Sequence, residues 1–153
     1  MRVLVAVLLA AWALPAFAYD DPKALVEAIY APYTTLGVAQ EQDPAQYYSE
    51  RLKGLVAANA APTGENPPPV LEFNPFIGAK EALLRDLSIG TPVGNNEQAI
   101  VTVSFGNFGD ISLLSLSLLK EADGWKVDDI ASMGSEQNWL LSWLLQYDPF
   151  GVN

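Results

Sequence analysis

The feature that most constrains the fold of this chain is a change in the spacing of its apolar residues near residue 83. Before that point, Val26, Ile29 and Tyr33 recur at intervals of three and four residues, as on one face of a helix. After it, Val101 and Val103 belong to segments that alternate between apolar and polar residues, as in a half-buried strand. Helices followed by strands predict an α+β fold, with the N-terminal helices packed on one face of a curved antiparallel sheet.

Two dipeptides mark predicted helix starts. Asp21-Pro22 and Asp43-Pro44 each place a capping carboxylate before a proline in the first turn, and Gln46 completes a capping box for the second. The apolar face of the second predicted helix comprises Tyr48, Leu52, Leu55 and Val56.

Four predicted strands follow, separated by turn residues. They cover Leu83–Ile89, Ala99–Phe105, Ile111–Leu119 and a segment that begins at Trp125. The dipeptide Asp123-Gly124 predicts a hairpin turn, and Asn74-Pro75 predicts a further turn upstream. In the first strand, alternation predicts Leu83, Arg85, Leu87 and Ile89 on one face. Strands joined by short turns predict an antiparallel meander.

The C-terminal segment predicts an apolar helix from Glu136 to Tyr147. It carries no charge between Glu136 and Asp148, and its polar residues form only a narrow stripe. One sheet face cannot cover so much apolar circumference, so we expect the helix either to fill the concavity of the sheet or to meet a second subunit. The second alternative predicts a homodimer. Its interface candidates are Trp139, Leu141 and Leu145.

The N-terminal segment predicts a cleavable secretory signal peptide, Met1–Ala18. Arg2 precedes an apolar run, and Ala16-Phe17-Ala18 has the small-residue pattern of a cleavage site. The run is too short for a membrane span and Pro15 interrupts it, so we expect no stable membrane anchor after processing. Cleavage after Ala18 would leave a periplasmic or secreted protein with a single α+β domain over residues 19–153.

Composition excludes several kinds of chemistry. The 18 acidic residues outnumber 8 basic ones, giving a net charge of −10 that disfavours nucleic acid as a partner. The chain has no cysteine and no histidine, which excludes thiolate nucleophiles, Ser–His triads and the usual zinc and haem sites. Neighbouring residues in a strand point to opposite faces, so we expect Asp128 and Asp129 not to act together. We therefore expect no metal and no cofactor.

Acid–base work by carboxylates and tyrosines remains open. A carboxylate base in an apolar pocket with a tyrosine hydrogen-bond donor is a known arrangement, and Asp86, Asp128 and Tyr48 are of the required types. The alternative is that the tyrosines complete the core with their hydroxyls hydrogen-bonded. Arg51 could likewise hold an anion, or could cover apolar surface with its stem.

Four short motifs suggest a family. They are Tyr30-x-x-Tyr33, Tyr48-Ser49-x-Arg51-Leu52, Phe73-Asn74-Pro75-Phe76 and Trp125-x-x-Asp128-Asp129-Ile130. With the order of helices and strands, they resemble the nuclear transport factor 2-like (cystatin-like) superfamily, and most of all a bacterial exported family catalogued as domain of unknown function 3828. That family tends to carry Asp where Asn74 stands and Gln-Asp near Lys80-Glu81, so a shared acidic site is not expected here.

The resemblance implies a conical fold with a pocket between sheet and helices, and no particular activity. The pocket candidates are Tyr30, Tyr33, Tyr48, Arg51, Phe73, Phe76 and Trp125. The function predicted first is an exported, non-catalytic binding or accessory domain for a small apolar ligand. The second is a cofactor-free isomerase or hydro-lyase that uses Asp86 or Asp128 as base and Tyr48 as donor. The third is an acidic inhibitor of a basic protein partner.

Overall fold

The computed structural model describes residues 18–34, 43–60, 71, 73–134 and 138–147. Two helices, α1 (Pro22–Thr34) and α2 (Glu50–Ala60), precede a curved antiparallel sheet, and a short helix α3 (Leu141–Gln146) follows it. The strands are β1 (Leu84–Ile89), β2 (Val93–Gly94), β3 (Gln98–Asn107), β4 (Asp110–Glu121), β5 (Gly124–Ser132) and β6 (Trp139–Leu140). The predicted α+β class is confirmed.

The sheet is a meander in the order β1-β3-β4-β5-β6. Strand β2 pairs with the beginning of β3, whereas β1 pairs with the end of β3. The longest ladder joins β3 to β4, from Gln98 opposite Leu119 to Asn107 opposite Asp110. The predicted meander is therefore confirmed. Strands β2 and β6 were not predicted, because two residues are too few to show an alternating pattern.

Helix α1 begins where the sequence predicts. Asp21 Oδ1 accepts a hydrogen bond from the backbone N–H of Ala24 at 2.9 Å, and Pro22 is the first helical residue. The predicted apolar face is buried against the sheet, where Val101 and Val103 of β3 are fully covered. The capping signal and the amphipathic spacing together placed this helix correctly.

The second helix begins later than predicted. Asp43 caps a short 3-10 helix, Pro44–Tyr47, rather than α2. Tyr48 then forms a parallel bridge with Val127 at the edge of β5, which interrupts helical geometry. Ser49 caps α2, since its Oγ accepts a hydrogen bond from the backbone N–H of Leu52 in the first turn of the helix. The predicted helix start is wrong because pairing with β5, a distant contact, takes precedence over the local capping signal.

The predicted alternation of the first strand is also wrong. Arg85 lies opposite Gly106 and Ser88 opposite Ser104, so two residues of β1 face a single residue of β3. Asp86 occupies this bulge with a φ of 52°. The extra residue reverses the faces upstream of the bulge, and Leu83 is consequently 47 % exposed.

The C-terminal helix is much shorter than predicted. Trp139–Leu140 form β6, paired with Ala131 and Ser132, and only Leu141–Gln146 are helical. Leu141 and Leu145 are 0 % and 7 % exposed in the core of their own chain, so these two interface candidates do not face a partner. The Trp139 ring, the third candidate, packs on Phe73 with centroids 5.2 Å apart. The correction follows from helix α3 packing against α2 and β5 of the same chain.

Several sequence-based predictions fall on residues outside the described part. These are the leader up to residue 17 and the first residues of the predicted C-terminal helix. Within the described ranges, no helix is long and apolar enough to cross a membrane.

Candidate functional site

Most of the predicted pocket residues belong to the hydrophobic core. Tyr30 is fully buried and its hydroxyl donates to the backbone carbonyl of Phe76 at 2.7 Å. The rings of Tyr48 and Phe76 lie 5.9 Å apart, and Trp125 is buried. Burial raises the pKa of Tyr30 and of Tyr48, so both phenols stay neutral. The space between sheet and helices is filled here by packed side chains, as the core interpretation of the tyrosines predicts.

Tyr33 differs from these residues because it borders an open cleft, named here the Tyr33 cleft. Its volume is about 350 Å³. Its lining comprises Tyr33, Asn74, Ile77, Lys80, Glu81, Ala82 and Phe108. The lining combines apolar side chains with polar and charged ones, and its volume lies in the range of sites for small molecules.

The turn predicted at Asn74-Pro75 holds the polar side of the cleft in place. Asn74 Oδ1 accepts from the backbone N–H of Phe76 at 2.9 Å, and the backbone N–H of Asn74 donates to the carbonyl of Ala79 at 3.0 Å. The Asn74 side chain is therefore held in place, and its Nδ2 donates to Tyr33 Oη at 2.6 Å. The turn itself confirms the sequence prediction.

The Tyr33 hydroxyl is a neutral donor in this arrangement. Burial raises its pKa, and the hydrogen bond from Asn74 offsets only part of that effect. A phenol can accept and donate at the same time. Since the Tyr33 oxygen accepts from Asn74, its proton can be donated to an acceptor on a ligand in the cleft.

The rim of the cleft carries an aromatic ring on a hairpin. Phe108 and Gly109 form the two-residue turn between β3 and β4, with φ values of 51° and 102°. Such a turn favours Asn-Gly. Phe108 is nevertheless 62 % exposed there.

The second polar cluster lies at an irregularity of β5. Val127 and Asp129 both pair with residues of β4, and Asp128 between them has no partner on that strand. The extra residue is a β-bulge, which cancels the alternation that would separate the two carboxylates. Both reach Arg51: its Nε lies 2.9 Å from Asp128 Oδ1, and its Nη2 lies 3.9 Å from Asp129 Oδ2. The expectation that these two neighbouring aspartates point to opposite faces is therefore wrong.

Serines complete this cluster. Ser49 Oγ donates to Asp128 Oδ1 at 2.6 Å, and the backbone N–H of Ser142 donates to Asp129 Oδ1 at 3.0 Å. Burial raises the pKa of Asp128, but hydrogen bonds from Arg51 and Ser49 and the charge of Arg51 outweigh it and lower the pKa below its usual value. The motifs Tyr48-Ser49-x-Arg51-Leu52 and Trp125-x-x-Asp128-Asp129-Ile130 are far apart in sequence. In the fold they meet in one network of charged and hydrogen-bonded side chains.

The remaining predicted site residues lie apart from the Tyr33 cleft. Asp86 is exposed to solvent on the bulge of β1, and Arg51 is engaged with the aspartates. Phe73 packs on Trp139. A second cleft of about 360 Å³, formed by residues of β2 to β5, includes Asp128 in its lining. Among the described residues, no group of three acidic side chains is placed to hold a metal ion.

Tyr33 was a predicted pocket residue, but its neighbours in the cleft were not. Asn74 was predicted as a turn residue, and Asn74, Lys80 and Glu81 were otherwise noted only as departures from the family pattern. Phe108 was not among the predicted site residues. The signal that could have identified it is a bulky aromatic residue before glycine, where a tight hairpin favours Asn.

Comparison with known proteins adds no relative. No protein-family model matches the chain, and no curated protein and no solved structure matches it. The resemblance to the nuclear transport factor 2-like superfamily stays a prediction, and function has to be argued from the geometry of the chain itself.

Proposed function

We propose that this chain is an exported, non-catalytic binding or accessory domain that takes a small ligand in the Tyr33 cleft. The observation that carries the proposal is the Tyr33 hydroxyl, which Asn74 fixes at 2.6 Å beside an open space of about 350 Å³. A donor held in advance loses little conformational entropy when a ligand binds. The leader Met1–Ala18 supports the exported part of the proposal.

The proposed class of function is the one predicted from the sequence, but the proposed site differs from the predicted pocket. Tyr30, Tyr48, Phe76 and Trp125 remain core residues, and ligand contact passes to the rim of the fold near the β3–β4 hairpin. The ligand is then bound at the surface, between the end of α1 and the hairpin, rather than enclosed between sheet and helices.

The carboxylates give catalysis little support. A general base works best when its pKa lies near the operating pH. The pKa of Asp128 is lowered instead, and Asp86 is exposed to water outside both clefts described above. These observations favour binding over the isomerase or hydro-lyase alternative.

The proposal includes a homodimer that uses a different surface from the one predicted. Leu140, Trp143 and Tyr147 are exposed, and the rings of Trp143 and Tyr147 lie 5.6 Å apart. None of the three carries a charge at neutral pH. In a chain of net charge −10, two copies repel each other least when they meet through such an uncharged face.

A fragment screen tests the binding site. Amide chemical shifts of the mature protein are recorded by NMR while small neutral and charged fragments are added. We expect shifts to concentrate at Asn74, Ile77 and Phe108, and Tyr33→Phe and Asn74→Ala to weaken the fragments that cause them. Asn95→Ala is the matched control, because Asn95 also holds a turn with its side chain but lines the second cleft.

Two outcomes would contradict the proposal. Fragments that perturb only the second cleft would move the site to the cleft formed by β2 to β5. Fragments that shift no amide around the Tyr33 cleft would remove the reason for assigning it a ligand.

A further inference from the structure

Phe108 is held in a backbone conformation that suits other residues better. With φ at 51°, it lies in the left-handed region, which bulky side chains rarely adopt because of contact between Cβ and the backbone. Asn or Gly at this position of the turn would avoid most of that strain. Backbone strain of this kind persists where the surrounding structure enforces it and is concentrated at functional sites.

The strained residue contributes little to the core. Its side chain is 62 % exposed, whereas Phe105, on the preceding strand β3, is 2 % exposed and packs on Tyr30. An exposed aromatic ring adds little to folding stability, so packing does not explain the conformation. Phe108 does, however, form part of the lining of the Tyr33 cleft.

The other groups of the cleft restrict what the ring can meet. Tyr33 offers a hydroxyl proton, and Ile77 and Ala82 provide apolar wall. Lys80 and Glu81 bring one charge of each sign to the same lining. Their formal charges sum to zero, so the lining as a whole favours neither an anion nor a cation.

We propose that Phe108 is the ring platform of the Tyr33 cleft, and that the ligand is a planar aromatic compound without net charge that carries a carbonyl oxygen. The aromatic part packs on Phe108, and the carbonyl accepts the Tyr33 hydroxyl proton. Ring pairs of this kind prefer offset or edge contacts. This inference rests on the binding function proposed above and adds the ligand class and the residue that selects it.

Four probes and two variants test the inference on the mature protein. The probes are benzamide, benzoate, benzylamine and cyclohexanecarboxamide, titrated by NMR, and the variants are Phe108→Asn and Phe108→Tyr. For the wild type we expect benzamide to bind tightest of the four. Phe108→Asn should weaken benzamide by about 3- to 10-fold and reduce its advantage over cyclohexanecarboxamide, because the ring contact is lost.

The same variant should raise the melting temperature. Relief of the strained φ is expected to increase Tm by about 2 to 6 °C, an effect opposite in sign to the loss of binding. Phe108→Tyr keeps the ring and the strain, so both its Tm and its benzamide affinity should stay near the wild-type values.

The outcomes separate this inference from the proposed function. If benzamide binds Phe108→Asn as tightly as the wild type while Tyr33→Phe still weakens it, the cleft binds ligands but Phe108 is no platform. If benzoate or benzylamine binds best, or if only fragments of another class bind the cleft, the ligand class is wrong. A fall in Tm for Phe108→Asn would show that Phe108 serves stability. If nothing binds near Tyr33, the proposed function fails as well.

Discussion

Arg51 and Asp128 are joined by three hydrogen bonds. Nε of Arg51 donates to both carboxylate oxygens of Asp128, at 2.9 and 3.1 Å, and Nη2 donates to the backbone carbonyl of the same residue at 2.5 Å. Arg51 lies on α2 and Asp128 on the bulge of β5, so the contact attaches the helix to the irregular edge of the sheet. Because Arg51 bonds to both the carboxylate and the backbone carbonyl of Asp128, it holds the bulge in place as well as the helix.

The first prediction concerns the stability that this contact provides. Asp128→Asn keeps the size of the side chain and removes its charge, and we expect the free energy of unfolding to fall by about 1 kcal/mol. The value is modest because the Arg51 side chain is 48 % exposed and water screens the pair. Urea denaturation measures it. Glu50→Gln, which weakens the exposed Lys53–Glu50 pair, is the control and should change stability by less than about 0.5 kcal/mol.

The second prediction gives the pH dependence of that contribution. The pKa of Asp128 is lower in the folded protein than its usual 3.8, so the unfolded chain binds the proton more readily. The contribution is therefore complete above about pH 4 and is lost as the pH falls through the folded pKa. Urea midpoints of wild type and Asp128→Asn should differ at pH 6, and the difference should shrink as the pH falls through the folded pKa of Asp128. A difference that persists unchanged at low pH would contradict the assignment.

The third prediction separates core from surface in the C-terminal segment. Leu141 is 0 % exposed, so Leu141→Ala should cost about 2 to 5 kcal/mol. Trp143→Ser and Tyr147→Ser alter the exposed rings and should leave the monomer folded. If the proposed homodimer forms through these rings, light scattering should show a dimer for the wild type and a monomer for the double variant. Equal masses for both proteins would rule out this interface.

The fourth prediction contrasts two glycines. A Cβ at Gly54, within α2, meets no atom within 4 Å, so Gly54→Ala should stabilise the protein by about 0.5 to 1 kcal/mol. A Cβ at Gly124, where φ is +111°, would lie 2.7 Å from the backbone nitrogen of Tyr19. Gly124→Ala should therefore destabilise by about 1 to 3 kcal/mol and disturb the bond from the Trp125 N–H to the Tyr19 carbonyl. Thermal unfolding of both variants decides their signs.

The fifth prediction concerns processing. The pattern Ala16-x-Ala18 predicts that the exported protein begins at Tyr19. Intact-mass measurement of protein recovered outside the cytoplasm should give the mass of residues 19–153. A mass that includes Met1–Ala18 would contradict the cleavage site, and failure to recover the protein outside the cytoplasm would contradict the exported part of the proposed function.

Local patterns were sufficient for the regular parts of the fold. The spacing of Val26, Ile29 and Tyr33 predicted α1 and its buried face, and the alternation around Val101 predicted β3. The dipeptide Asp123-Gly124 correctly marked the hairpin between β4 and β5. In these elements the period of the apolar residues and the face that is buried agree, so neighbouring residues contain the necessary information.

The candidate site could be predicted only in part. Tyr33 and the turn at Asn74 were both visible in the sequence, but nothing local indicates that they lie 2.6 Å apart or that Phe108 borders the same space. The tyrosine spacing gave equal reason to select Tyr30, which is buried like Tyr33 but does not line the cleft. Which tyrosine borders the cleft depends on how α1 packs, and that is decided by contacts between distant segments.

The sequence by itself determined the α+β class, the order of helices and strands, and the absence of thiol and imidazole chemistry, because periodicity and composition are properties of the chain alone. The tertiary structure decided the two bulges, the late start of α2 and the burial of Leu141. A bulge adds one residue to a strand so that side chains such as Asp128 can reach partners on another element, here Arg51. Its position therefore depends on residues far away in sequence, and strict alternation along the strand cannot reveal it.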